Sequence, residues 1–313
     1  MSPADGRVAA RLGGVIAPVL TPFTADGSFD EPKFRAEVAH LVGAGVHGLS
    51  PGGSTGEGAA LTDDELARMV TICRADGGGR PVVAGVIRAS TQAAAQTARR
   101  ARDAGADALM VTPTFYNVLV PDDAGNRAFY QSLSDEVGLP IIIYNVVPQN
   151  QITSEAAAEL LSIEHVVGIK QSVGGIMALY DMLRICGDRG WVYAATDEML
   201  ASCFQLGADG AISAIVALLP EHSLRMWDLV QEGDHAGALA IQNQLYPVWR
   251  LVRGAQFPAR MKAAAAAMGR DCGYARSPLG PVPPTVRAAL ADAASAVQDV
   301  PPAGPMSTEA VRS

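Results

Sequence analysis

Between residues 14 and about 232 the chain alternates short apolar runs with longer amphipathic segments, and this rhythm limits the fold more than any other feature. The runs, at 14–20, 46–50, 81–85, 106–112, 140–145, 165–170, 191–195 and 210–213, are rich in β-branched residues and Ala and read as buried strands. The segments between and after them, 30–42, 62–75, 90–104, 122–137, 153–161, 175–186, 198–206 and 220–231, read as helices. Asp30 is placed as an N-cap with Pro32 in the first turn, and Thr62-Asp63-Asp64-Glu65 has the pattern of a capping box. Strands that alternate with helices must run parallel with crossover connections, and eight such units close into a (β/α)8 TIM barrel. A doubly wound open sheet is the alternative. It opens with a glycine-rich phosphate loop after the first strand, where this chain has Thr21-Pro22-Phe23.

Beyond residue 234 the pattern becomes helix only, at 236–252, 258–268 and 284–297. The expected organisation is therefore a tail at 1–12, a barrel at 13–233, and a C-terminal helical appendage at 234–298 packed on the barrel or on a neighbouring subunit. Residues 299–313, rich in Pro, Gly, Ser and Ala, read as a disordered tail. Apolar residues make up 49% of the chain and charged residues 18%, enough for a large core and incompatible with a disordered protein. A net charge of -8 without any basic run excludes a nucleic-acid partner. Residues 1–12 hold no apolar leader and no run of about 18 apolar residues occurs, so neither secretion nor a membrane partner is expected and the reading is cytoplasmic. Cysteines 73, 186, 203 and 272 form no C-x-x-C pair and have no His at zinc-ligand spacing, so reduced, buried thiols and no metal are expected.

A barrel presents its reactive groups at the C-terminal ends of its strands. The sixth strand, Val166-Val167-Gly168-Ile169-Lys170, ends in an amine. The chain has only three lysines, Lys33, Lys170 and Lys262, against twenty-one arginines, so its ordinary surface cation is Arg. An apolar pocket disfavours the charged form of a Lys and frees the amine to attack a carbonyl, whereas a guanidinium stays charged. A strand-end Lys reaching solvent satisfies the same pattern. The second strand leads into Gly52-Gly53-Ser54-Thr55-Gly56-Glu57, where small residues and two hydroxyls suit an anion, or form an ordinary glycine-rich turn in which Glu57 anchors the loop. Tyr116 follows the fourth strand and Tyr144 ends the fifth; a phenol there can carry the proton that carbinolamine dehydration requires, and Tyr144 is the better candidate. Asp197 and Glu198 follow the seventh strand, as substrate ligands or as acids favoured in a helix's first turn. The five histidines do not pair at ligand spacing.

These stretches resemble the pyruvate-dependent class I aldolases that include dihydrodipicolinate synthase and N-acetylneuraminate lyase. The resemblance rests on Gly14-Val15-Ile16-Ala17-Pro18 with Thr21-Pro22-Phe23, Gly53-Ser54-Thr55-Gly56-Glu57, Thr112-Pro113 with Phe115-Tyr116-Asn117, Tyr144-Asn145-Val146, Gly168-Ile169-Lys170 and 207–213, in that order. It implies that Lys170 condenses with the 2-oxo group of pyruvate or a related 2-oxo acid, so that a covalent imine replaces any cofactor. Tyr144 would shuttle protons through a hydroxyl relay with Ser54 or Thr55. Gly53, Ser54 and Thr55 would hold the carboxylate, and Ile212 would line the pyruvate pocket. Tyr116 matches a tyrosine that completes the relay from a neighbouring subunit, which implies a homo-oligomer, commonly a tetramer built from dimers.

Departures bear on the substrate. In the synthases an arginine after the Tyr-Asn-Val-Pro stretch grips a second carboxylate; here the stretch reads Tyr144-Asn145-Val146-Val147-Pro148-Gln149-Asn150-Gln151, and Asn150 takes the approximate place of the cation. An amide cannot replace a bidentate clamp, which disfavours synthase activity. Ser54, Lys170-Gln171-Ser172 and Asp197-Glu198 resemble the sugar-acid lyase branch, with Ser172, Asp197 and Glu198 as substrate ligands, although Asn117-Val118-Leu119-Val120-Pro121 is more apolar than either branch. The expectation is a Schiff-base lyase or aldolase that makes or breaks a C–C bond beside a pyruvate unit. A 2-oxo-3-deoxy acid dehydratase or deaminase using the same imine, the synthase itself, and a non-catalytic 2-oxo acid binder are the alternatives.

Overall fold

Eight strands, all parallel, form the centre of the computed structural model, which describes residues 12–301. They are β1 (Gly14–Pro18), β2 (Gly48–Ser50), β3 (Val83–Val86), β4 (Ala108–Val111), β5 (Ile141–Asn145), β6 (Val166–Gln171), β7 (Trp191–Ala194) and β8 (Gly210–Ile212). Their ladder runs β2-β1-β8-β7-β6-β5-β4-β3. A parallel bridge between Leu49 and Val82, with the Leu49 N–H donating to the Pro81 carbonyl at 3.0 Å, joins the two ends. The sheet is therefore a nearly closed (β/α)8 TIM barrel. Each strand is followed by helix: α1 (Glu31–Ala44), α2 (Asp63–Asp76), α3 (Thr91–Asp103), α4 (Asp123–Val137), α5 (Ser154–Leu160), α6 (Gly175–Cys186), α7 (Leu200–Gln205), α8 (Ala214–Leu218) and α9 (Pro220–Gln231). The C-terminal helices are α10 (His235–Val252), α11 (Phe257–Ala267) and α12 (Pro284–Ser295).

The local signals act where expected. The Asp30 side chain accepts the Lys33 N–H at the start of α1, and at α2 the Thr62 hydroxyl and Glu65 carboxylate cap each other's backbone N–H. Except for β6, the strands are shorter than the apolar runs that announce them, because residues such as Val46 and Leu20 are buried without joining the ladder. Helix α8 lies in what reads as a connection, since all five of its residues are buried and it has no polar face to give a helical period. The tails expected at 1–12 and 299–313 lie almost wholly outside the described residues. Leu12 itself is buried, and its carbonyl accepts the Tyr193 hydroxyl at 2.7 Å.

Alternation along the strands divides the core in two. Ile141, Ile143 and Ile169 pack outward among the helices, while Ile16, Met110, Ile142, Tyr144, Tyr193 and Ile212 pack inside the barrel. This period places Tyr144 and Lys170 on the inner side at the top of β5 and β6. The register then makes them direct neighbours, because Tyr144 pairs with Lys170. Gly168, two residues below Lys170, has no room for a side chain, since a Cβ there would lie 2.6 Å from the Trp191 carbonyl oxygen on β7.

Candidate active site

A cavity of about 360 Å³ opens at the C-terminal end of the barrel, and Lys170 is in its wall. The lysine is 5% exposed, and its Nζ sits 3.8 Å from the centre of the Tyr144 ring. Lys33 pairs with Asp30 and Asp271, and Lys262 with Glu57, whereas Lys170 pairs with no carboxylate among the described residues. Its amine faces an aromatic ring and a cavity. The Tyr144 hydroxyl donates to Ser54 Oγ at 3.1 Å, which links the top of β5 to the loop after β2 across the mouth. Ser54, Thr55, Ser172 and Ile212 line the same cavity. The phenol and the Ser54 hydroxyl are hydrogen-bonded and the amine lies over the phenol's ring, so the three groups meet at one cavity.

The loop after β2 is held from two sides. The Gly53 carbonyl accepts the N–H groups of Gly56 and Gly58, and a Cβ at Gly58 would collide with the Gly52 carbonyl oxygen. At its end Glu57 has a left-handed backbone, φ 58°, and its carboxylate is fully enclosed. Lys262 Nζ donates to it at 2.6 Å and the Arg276 N–H at 2.9 Å. Burial lowers the Lys262 pKa, and the Glu57 charge works against that shift. Thus the C-terminal helices pin the loop that carries Ser54 and Thr55. The next loop is held by Asn145, whose amide donates to the Ile152 carbonyl and to Gln171 Oε1, both at 2.8 Å, and accepts the Ile152 N–H at 3.0 Å.

Two expected contacts are placed differently. Asn150 lies outside the cavity: its amide exchanges hydrogen bonds with Asn126 at 2.9 and 3.2 Å and donates to the Thr114 carbonyl at 3.1 Å, so it braces two loops and does not face substrate. Gly53 is not a cavity wall and acts through its carbonyl. Tyr116 is 58% exposed in the loop after β4, with Val118 and Leu119 also exposed beside it, and does not reach this chain's own cavity. Asp197 and Glu198 do line it. Asp197 Oδ1 accepts the Ser213 hydroxyl at 2.5 Å and the Ile215 N–H at 2.6 Å. Burial raises its pKa to about 6 in spite of those donors. Glu198 accepts the Trp249 indole N–H at 2.9 Å.

The outer wall holds Trp249, Arg253 and Phe257, from the end of α10 and the start of α11, none of which the sequence singled out. Trp249 lies near the end of one helix, Arg253 caps it and Phe257 opens the next, and nothing in the sequence says that this turn covers the barrel mouth. No group of three or more His, Cys, Asp or Glu suited to a metal occurs among the described residues. All four cysteines are buried and free. His47 accepts the Val15 N–H at 2.9 Å, and burial beside Arg80 lowers its pKa to about 4, a structural role. No described helix is long and apolar enough to cross a membrane.

Residues 11–297 match the model of the dihydrodipicolinate synthetase family. A 4-hydroxy-tetrahydrodipicolinate synthase of Methylobacterium radiotolerans is 34% identical over 287 residues, covering 91% of this chain and 95% of that protein. An uncharacterised DapA-like lyase of Pyrobaculum islandicum is 33% identical over 87% of this chain and 94% of its own. Among solved structures, the Escherichia coli K12 prophage protein YagE, crystallised with pyruvate, superposes with a TM-score of 0.85 at 27% identity, covering 90% of this chain and 97% of that one.

Proposed function

The chain belongs to the dihydrodipicolinate synthetase family and is a class I pyruvate-dependent lyase, and from that premise we propose that Lys170 performs the chemistry through an imine with the substrate's 2-oxo group. The observation that carries this reading is the series Lys170, Tyr144 and Ser54 at one cavity. The neutral amine adds to C2, and the Tyr144 phenol gives the departing hydroxyl its proton, so that water leaves and a protonated imine remains. In cleavage, the C4 hydroxyl loses its proton, the C3–C4 electron pair moves into a C2–C3 enamine, and an aldehyde departs. The cationic nitrogen accepts that charge, which is why the imine needs no added cofactor. Protonation of C3 and hydrolysis return pyruvate and free Lys170. Ser54 and Thr55 hold the pyruvate carboxylate, and Ile212 forms the wall behind it.

The same reading makes the enzyme a cytoplasmic homotetramer built from dimers, with Tyr116 completing the relay of a neighbouring subunit. The exposed, apolar setting of Tyr116 beside Val118 and Leu119 supports this. The names of the curated relatives support a second reading, condensation of pyruvate with aspartate semialdehyde. Against it, residues 146–151 contain no arginine and Asn150 turns away from the cavity.

Pyruvate with borohydride, followed by peptide mass spectrometry, tests the proposal. A reduced adduct on Lys170, absent in Lys170→Ala, is expected, and Tyr144→Phe should lower turnover by at least about 100-fold. No adduct on wild-type protein would overturn it. Feeding a 2-oxo-3-deoxy acid separates the outcomes further, since a lyase releases pyruvate and an aldehyde whereas a dehydratase keeps every carbon.

A further inference from the structure

The cavity has two halves. Lys170, Tyr144, Ser54 and Thr55 make the inner half, and the outer half is walled by Glu198, Trp249, Arg253 and Phe257. Among the described residues, Lys170 and Arg253 are the only cations that line it. Arg253 caps α10, where its backbone N–H bonds the Trp249 carbonyl at 3.0 Å, and Gly254, with φ 110°, turns the chain away immediately after it. Its guanidinium makes no hydrogen bond or ion pair among the described residues; it shares this with the exposed Arg250 and Arg287, and what sets the equally exposed Arg253 apart is its place in the cavity wall. Two acids line the same cavity: Glu198 accepts the Trp249 indole N–H, and Asp197 the Ser213 hydroxyl and the Ile215 N–H. The loop after β5 presents no cation. Deeper in the same cavity the Ser172 hydroxyl is buried with no partner, so a polar group of the second substrate has a bond to make on its way in.

We propose that Arg253 anchors the second substrate, and that the aldehyde this enzyme releases or takes up carries a compact anion, a carboxylate or a phosphate, at the end remote from its carbonyl. A guanidinium with five donors and no protein acceptor is suited to either group, and the flanking Trp249 and Phe257 rings, 6.2 Å apart, limit the space around the substrate's middle. Pyruvate is held at one end and the anion at the other. The joined product therefore has two anionic termini.

The proposal rests on the Lys170 imine, so pyruvate trapping on wild-type protein is run first; without the adduct both readings fall. With the adduct present, kcat/KM is measured for matched aldehydes: glyoxylate, malonate semialdehyde and succinate semialdehyde against acetaldehyde, propanal and butanal, and glyceraldehyde 3-phosphate against glyceraldehyde. Wild type should favour the charged member of at least one pair. Arg253→Gln should reduce that preference by about 10- to 100-fold, with Arg253→Lys in between. Preference in the carboxylate series or in the phosphate pair says which anion it is. A wild type that takes none of the charged aldehydes, or equal losses on charged and neutral members in Arg253→Gln, overturns the proposal and leaves the imine reading standing.

Discussion

Lys262 and Glu57 are 205 residues apart in sequence and 2.6 Å apart in space, with side chains 4% and 3% exposed. At that separation their attraction is about 6 kcal/mol for an effective dielectric of about 20. Removing each ion from water costs several kcal/mol, so the pair as a whole is close to balance. Truncating one partner is a different matter. Lys262→Met leaves the Glu57 carboxylate enclosed with only the Arg276 N–H, and takes a donor from the Tyr274 carbonyl. The expected cost is about 3–5 kcal/mol. Glu57→Gln with Lys262→Met removes both charges and keeps an acceptor for Arg276, and should recover about 2 kcal/mol or more of that loss. Urea unfolding at pH 7.5, at one protein concentration for all four proteins, measures the cycle. Because the pair is enclosed, raising salt from 0.05 to 0.5 M should change the single-variant cost by less than about 0.5 kcal/mol. Additivity of the two changes within about 0.5 kcal/mol would refute the reasoning, because it would mean that the charges do not stabilise each other.

Two further outcomes are expected. Asp197 has a raised pKa in the fold, so the folded state keeps a proton that the unfolded state has lost between about pH 4 and pH 6. Wild-type stability relative to Asp197→Asn should therefore fall as pH rises through that window, by about 3 kcal/mol in total, and a flat difference in urea midpoints would contradict the burial argument. Asn150→Ala should cost about 2–3 kcal/mol by leaving the Asn126 amide and the Thr114 carbonyl short of partners, with the KM for pyruvate unchanged; a large rise in KM would return Asn150 to the substrate site.

What the sequence revealed of the site follows the period of the strands. Tyr144 and Lys170 point inward because Ile143 and Ile169 point outward; the strand period requires that alternation, but a continuous apolar run does not say which set faces in. Their adjacency needed the register of β5 on β6, which the apolar runs do not fix, since the pairing shifts between Ile141 and Ile142. Asn150 shows the opposite case. Position relative to Tyr144 suggested a substrate contact, but the amide had a closer partner in Asn126, 24 residues away, and no local pattern announces a buried amide pair. Helix α8 escaped for a related reason: a segment buried on all sides has no polar phase by which to recognise it.

The residues that the strands could not predict come from one part of the chain. Trp249, Arg253 and Phe257 wall the outer cavity, and Lys262 holds the loop of Ser54 and Thr55; all four belong to α10, α11 or the turn between them. The barrel's strand ends thus supply the amine and the phenol, while the C-terminal helices supply the outer wall and a brace for the inner one. The two contributions are coupled unequally. A change at Arg253 touches only the outer half, since its side chain bonds to nothing in the inner half. A change at Lys262 loosens Glu57, and through it Ser54, the hydroxyl that receives the Tyr144 bond. Choice of the second substrate can therefore drift along α10 without disturbing the imine chemistry, whereas α11 is tied to that chemistry through one buried charge.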